Sequence, residues 1–277
     1  AVYSDSACGI NTAGSSVSVS DRLDMDIRIS SNGNHSVLSS TAISTVGGNI
    51  SLSEAQINTD SLGITSQGGS VDVSGDIVIN STRGTAVYVN GGNLNLQGNA
   101  EITSTIDGNT PWGGTGMSVP YSYDGVFVDG GSLTSTGMFK ITHTGVENDD
   151  QSSLGDTVLY RQFTVKSFAV RVQASSSADS RVSISSPQIS NAVGGGIYVS
   201  GSDTTIVSLG NEMSAEIFIN TTGNTLYDRD EYFSIGSASN WHYKQSRTGG
   251  HAVEVNGGTL KIYGGSYSAA QGEGILV

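Results

Sequence analysis

The chain has 277 residues, of which 38 are Gly, 45 Ser and 24 Thr, with only 3 Pro and 1 Cys. That composition excludes collagen, a disulfide scaffold and a helical bundle, which need a Gly-X-Y repeat, several thiols, or abundant Ala, Leu, Glu and Lys. The formal charge of −13 argues against nucleic acid, whose phosphates need a basic stripe, and against adsorption to anionic membranes.

No apolar run reaches the roughly 20 residues of a membrane-spanning helix, so direct membrane insertion of this stretch is not expected. Disorder predicts few and unordered aliphatics. Here 36% of residues are hydrophobic, and they alternate with polar ones over long stretches. Ala1 to Ala7 carries no signal-peptide pattern, and the chain ends inside the apolar run Gly274-Ile275-Leu276-Val277. It reads as a fragment of something longer.

Taken in chain order, Val17, Val19, Leu23, Met25, Ile27 and Ile29 alternate as early strands. Double glycines then punctuate the sequence at Gly47-Gly48, Gly68-Gly69, Gly91-Gly92, Gly130-Gly131 and Gly257-Gly258. Before them stands an apolar-x-apolar segment: Ile64-Thr65-Ser66, Val87-Tyr88-Val89, Val126-Phe127-Val128, Val170-Arg171-Val172, Ile197-Tyr198-Val199, Val253-Glu254-Val255 and Ile275-Leu276-Val277. The shortest spacings are 22 residues (Val253 to Ile275) and 23 (Ile64 to Val87). After the glycines comes a second segment, with Ile50 and Leu52, Val71 and Val73, Leu94 and Leu96, Leu133, then Leu260 and Ile262. A third carries Ile57, Ile77 and Ile79, Ile102, Ile141, Ile189, Ile217 and Ile219. Period-2 alternation marks each segment as a half-buried strand.

A unit this small cannot bury its own apolar face, so units must stack. The predicted fold is all-β: a single domain over 1–277, built as a right-handed parallel β-helix with three short strands per coil. Val87, Val126, Val170, Ile197, Val253 and Ile275 are expected to form one inward ladder. Val89, Val128, Val172, Val199, Val255 and Val277 form another. The middle residues Tyr88, Phe127, Arg171 and Tyr198 point outward, either as a cation–π stabilised stack or as a self-association surface. Glycine suits the corner because a sharp bend needs φ > 0. A sandwich offers no repeating register of this kind, and a propeller blade needs about 40–45 residues.

Three insertions interrupt the repeat, at about 107–124, 145–166 and 223–250. Each leaves after a third strand and returns before a first strand, so they are expected to emerge side by side on one edge. Both Trp residues lie in them. The candidate ligand-binding residues are Trp112, Tyr121, Tyr123 and Asp124 in the first, Asp149 and Asp150 in the second, and Tyr227, Asp228, Asp230, Tyr232, Trp241 and His242 in the third. A ring covers the C–H face of a sugar while carboxylates accept from its hydroxyls, and aromatic loops also anchor proteins. The bland alternative is that the rings pack together as satellite cores under long loops.

Catalytic patterns are weak. Polygalacturonase-like hydrolases combine Asn-Thr-Asp, Asp-Asp, Gly-His-Gly and Arg-x-Lys motifs. Asn58-Thr59-Asp60, Asp149-Asp150 and Gly250-His251 match fragments of these, but they are too widely spaced, and Ala252 follows His251. Paired carboxylates for glycoside hydrolysis must lie about 5–9.5 Å apart, and these lie several coils apart. No Gly-x-Ser-x-Gly elbow exists, and His35, His143, His242 and His251 lack metal-ligand spacing. The acidic run at Asp149 reads as solvated charge rather than a Ca²⁺ site. No enzyme, metal or cofactor is expected.

The units Val87-Tyr88-Val89-Asn90-Gly91-Gly92-Asn93-Leu94-Asn95-Leu96 and Val253-Glu254-Val255-Asn256-Gly257-Gly258-Thr259-Leu260-Lys261-Ile262 resemble passenger domains of bacterial type V autotransporters, a family that includes pertactin-like and self-associating adhesins. The resemblance covers most of the chain outside the insertions. It implies a bacterial cell-surface location, a removed signal peptide and a C-terminal outer-membrane barrel beyond this stretch. It also implies adhesion to host glycans or extracellular-matrix proteins, or self-association between cells as in biofilms. No binding motif is shared across the family, so the resemblance assigns no site residue. A β-helical polysaccharide lyase or hydrolase is the remaining alternative.

Overall fold

A computed structural model describes residues 2–3, 8–28, 41–60, 62–82, 85–105, 124–144, 151–154, 157–160, 168–174, 179–192, 195–211, 216–221, 226–235, 238–246, 250–270 and 272–277. The fold is all-β. Its strands form three stacks of parallel strands, visited in turn, in a repeating, ring-like hydrogen-bond pattern of β-helix type.

The first stack includes Leu62–Gln67, Val87–Asn90, Val126–Asp129, Val170–Gln173 and the start of Ile197–Leu209 and Val253–Ile262. Its register follows the expected alignment. Ile64 pairs with Val87, Val87 with Val126, Val126 with Val170, Val170 with Ile197, Ile197 with Val253 and Val253 with Ile275. The second ladder runs from Val89 through Val128, Val172 and Val199 to Val255. Val277, expected at its end, lies beyond the last pairing and is exposed, and Ile275, expected in the inward ladder, keeps its register with Val253 but is exposed as well.

The second stack aligns Ile50, Val71, Leu94, Leu133, Val182, Val207 and Leu260. The third aligns Ile57, Ile79, Ile102, Ile141, Ile189 and Ile219. These rows enclose one continuous core. Each fully buried Val, Leu or Ile contributes about 1.5–3 kcal/mol relative to exposure. Because a parallel strand holds its neighbour in register, a core residue on one turn fixes the position of the same residue on the next.

The double glycines divide two tasks. Gly14, Gly47, Gly68, Gly91 and Gly130 stand at the same corner of successive turns with φ between 72° and 75°, the left-handed region that only glycine enters without strain. The second glycine of the pairs at 47–48, 68–69 and 91–92 answers to stacking, and Gly131, with φ of 107°, answers to both demands. A Cβ on Gly69 would lie 2.3 Å from the Gly48 carbonyl oxygen, and one on Gly131 would lie 2.2 Å from that of Gly92.

The expectation of insertions made of loops needs correction. The second holds an antiparallel hairpin, Gln151–Leu154 with Thr157–Tyr160, and the third holds Leu226–Ile235 with Ala238–Ser246. The signal stands in the sequence as the dipeptides Gly155-Asp156 and Gly236-Ser237, of the kind that closes a two-residue hairpin.

Candidate functional site

The corner that joins the third stack to the first is where the insertions begin and end. On its inner side stands a polar column. Thr59 pairs with Ser81, Ser81 with Ser104 and Ser104 with His143, and all four are buried. Burial pushes the His143 imidazole down to about 4, because the cation is disfavoured away from water.

The return side of the corner is a column of small residues. Ala42, Gly63, Ala86, Gly125, Ala169, Gly196, Ala252 and Gly274 each precede the inward residue of a first strand. Backbone bonds cross the turns along it: Gly63 N–H donates to the Ala86 carbonyl at 2.9 Å, and the Ala169 carbonyl accepts from Val126 N–H, the residue after Gly125, at 2.8 Å. There is no room for more. A Cβ on Gly196 would lie 2.2 Å from the Ala252 carbonyl oxygen and 2.6 Å from Ile219 Cγ2. This strict Gly/Ala position was legible in the sequence, immediately before every apolar-x-apolar segment.

The first insertion departs after Thr105 and returns at Asp124. The second departs after Thr144 and returns at Phe168. The third departs after Thr221 and returns at Gly250. The roots of the first two are stitched together. Thr105 pairs with Thr144, and Gly125 N–H donates to the Phe168 carbonyl at 3.0 Å. At the third, Thr221 Oγ1 donates to the Gly250 carbonyl at 2.5 Å.

Asp124, expected at a ligand surface, is wholly buried. Its Oδ1 accepts from the Phe168 backbone N–H at 2.6 Å, and its Oδ2 accepts from Arg171 Nε at 2.5 Å. Arg171 Nη2 donates to Oδ1 at 3.4 Å. The Arg171 guanidinium lies 4.9 Å from the Phe168 ring centroid and 5.0 Å from that of Tyr198, and the two rings stack at 4.8 Å. The side chain of Arg171 is 16% exposed and that of Asp124 0%. The carboxylate therefore faces protein partners, not solvent. The pair is held by geometry: a buried carboxylate keeps its charge only when donors match it, as the Phe168 amide and the mostly buried guanidinium do here.

The outward row of Tyr88, Phe127, Arg171 and Tyr198 aligns as expected. Tyr88 and Phe127 lie 5.3 Å apart and form a small cluster with Leu62. Each leaves only 4% of its surface accessible, so this part of the row is covered and not an open strip. Leu62 and Phe168 stand two residues before the inward residue of their strands and pack on the middle residue of the next turn. Phe168 was missed in the sequence because its role depends on that diagonal contact.

Trp112, Tyr121, Tyr123, Asp149 and Asp150 lie outside the described residues. Tyr227, Asp228, Tyr232, Trp241 and His242 fall on the third insertion's hairpin, where the backbone sets Tyr232 opposite Trp241, Glu231 opposite His242 and Asp228 opposite Lys244. Asp230 sits at the register shift between Arg229 and Glu231. Among the described residues, no group of three or more His, Cys, Asp or Glu side chains is arranged to hold a metal ion. Compared with known proteins, the chain matches no family model, no curated protein and no solved structure.

Proposed function

We propose that the chain is a single right-handed β-helix of the autotransporter-passenger type, displayed on a bacterial cell surface, and that it binds host glycans or extracellular-matrix proteins through its insertions. In this reading it is a binding protein and not an enzyme. The observation that carries it is the common rooting of the three insertions. They share one corner of the coil, the first two on adjacent turns and the third two turns further on, where each departure follows a third strand and each return meets a buried Gly or Ala. The stacked strands supply a rigid support, and the aromatic and acidic residues of the sequence concentrate in the segments it carries. A rigid scaffold bearing variable excursions is the usual division of labour between stability and recognition.

The test is binding of the 277-residue chain to an array of immobilised glycans and matrix proteins, with Trp112→Ala and Trp241→Ala made singly and together. Aromatic anchors at a binding surface are worth about 2 kcal/mol or more each, roughly 30-fold in affinity. We expect that loss with an unchanged melting temperature. Equal binding by the double variant, or no binding by the parental chain, overturns the reading.

A further inference from the structure

Asp124 closes the first insertion, and Phe168 closes the second. They belong to different turns, 44 residues apart in sequence. One carboxylate nevertheless serves both. Its Oδ1 takes the Phe168 backbone N–H at 2.6 Å, and its Oδ2 takes Arg171 Nε from the strand that follows the second insertion at 2.5 Å. The guanidinium is in turn held against the rings of Phe168 and Tyr198. The amide-to-carbonyl bond from Gly125 to Phe168 closes the same link from the other side. A surface ion pair contributes little and tolerates many geometries. A wholly buried carboxylate that takes three donors, two of them from a mostly buried guanidinium, tolerates very few.

We propose that the Asp124–Arg171 pair is a brace that holds the return points of the first and second insertions as one unit, so that both meet a glycan in a fixed mutual register. Asp124, Phe168 and Arg171 are positioning residues in this scheme; none touches the ligand. The proposal rests on the reading of the insertions as the binding elements. It follows from preorganisation: two recognition segments fixed before binding lose less freedom on binding than two independent ones.

The test reads each substitution in the other insertion. Asp124→Asn alters the root of the first insertion, and the readout is amide exchange over residues 151–160 of the second. Arg171→Met alters the strand after the second insertion, and the readout is Trp112 emission in the first, in a Trp241→Phe background. We expect exchange over 151–160 to quicken about tenfold, and the Trp112 emission maximum to shift. The double variant Asp124→Leu with Arg171→Met separates positioning from stability. An apolar pair leaves no unpaired buried charge, so its melting temperature lies above that of either single variant, but Leu cannot accept from the Phe168 N–H, so both crosswise changes persist. On the glycan array, Asp124→Asn then binds roughly fivefold more weakly through faster dissociation. The brace is overturned if each substitution is felt only in its own insertion, or if the apolar pair returns exchange over 151–160 to the parental rate. If the parental chain binds no glycan, the binding reading fails, and the crosswise readouts alone decide the brace.

Discussion

His143 offers the sharpest quantitative test of the interior. It is wholly buried in the column with Thr59, Ser81 and Ser104, and burial holds its imidazole at about 4 against an ordinary 6.5. Between those two values the unfolded chain binds a proton at this site and the folded chain does not. Stability therefore rises with pH through the window. The contribution is fully present above about pH 6.5 and is lost as pH falls toward 4. At about 1.4 kcal/mol per pH unit, the total is on the order of 3 kcal/mol. The assay is urea unfolding at several pH values between 7.5 and 4, with His143→Gln as the comparison. The pH dependence of that variant lacks the histidine term, and titrations of the surface carboxylates cancel in the difference. The difference should narrow steadily as pH falls. A constant difference, or a folded-state His143 resonance that titrates near 6.5, refutes the burial argument.

Other substitutions separate steric from electrostatic contributions. Ile102→Ala removes a fully buried member of the third stack and should cost about 2–5 kcal/mol in a denaturant titration. Gly196→Ala forces a Cβ to within 2.2 Å of a carbonyl oxygen and should lower the melting temperature more than Gly14→Ala. Gly14 has open space and φ of 75°, so its substitution should cost only about 1–2 kcal/mol; equal effects at the two positions would contradict the steric reading of the return column. Lys140 and Glu101 pair at 2.7 Å on the surface, each about half exposed. Lys140→Ala should change stability by less than about 1 kcal/mol, with the small effect vanishing in high salt.

The sequence by itself determined the coil. Alternation with period 2 marked the strands, and the recurrence of Val87, Val126, Val170, Ile197, Val253 and Ile275 set a register that the strand pairings reproduce residue for residue. This was legible because in a stacked repeat each residue's neighbours are its own counterparts on adjacent turns, so a pattern along the chain is also a pattern in space. The Gly/Ala return position and the hairpin dipeptides were equally present in the sequence, although they gain meaning only once the turn that contains them is known.

What the tertiary structure alone decided is the fate of side chains at the insertion roots. Asp124 reads in sequence as one more acidic residue beside aromatics, and Tyr88 and Phe127 read as an exposed strip. Their burial depends on contacts between residues on different turns: Asp124 with Phe168 and Arg171, and Tyr88 with Phe127 and Leu62. Periodicity reports which way a side chain leaves its own strand. Whether water or another part of the chain waits there is set by segments far away in sequence, and no local pattern encodes it.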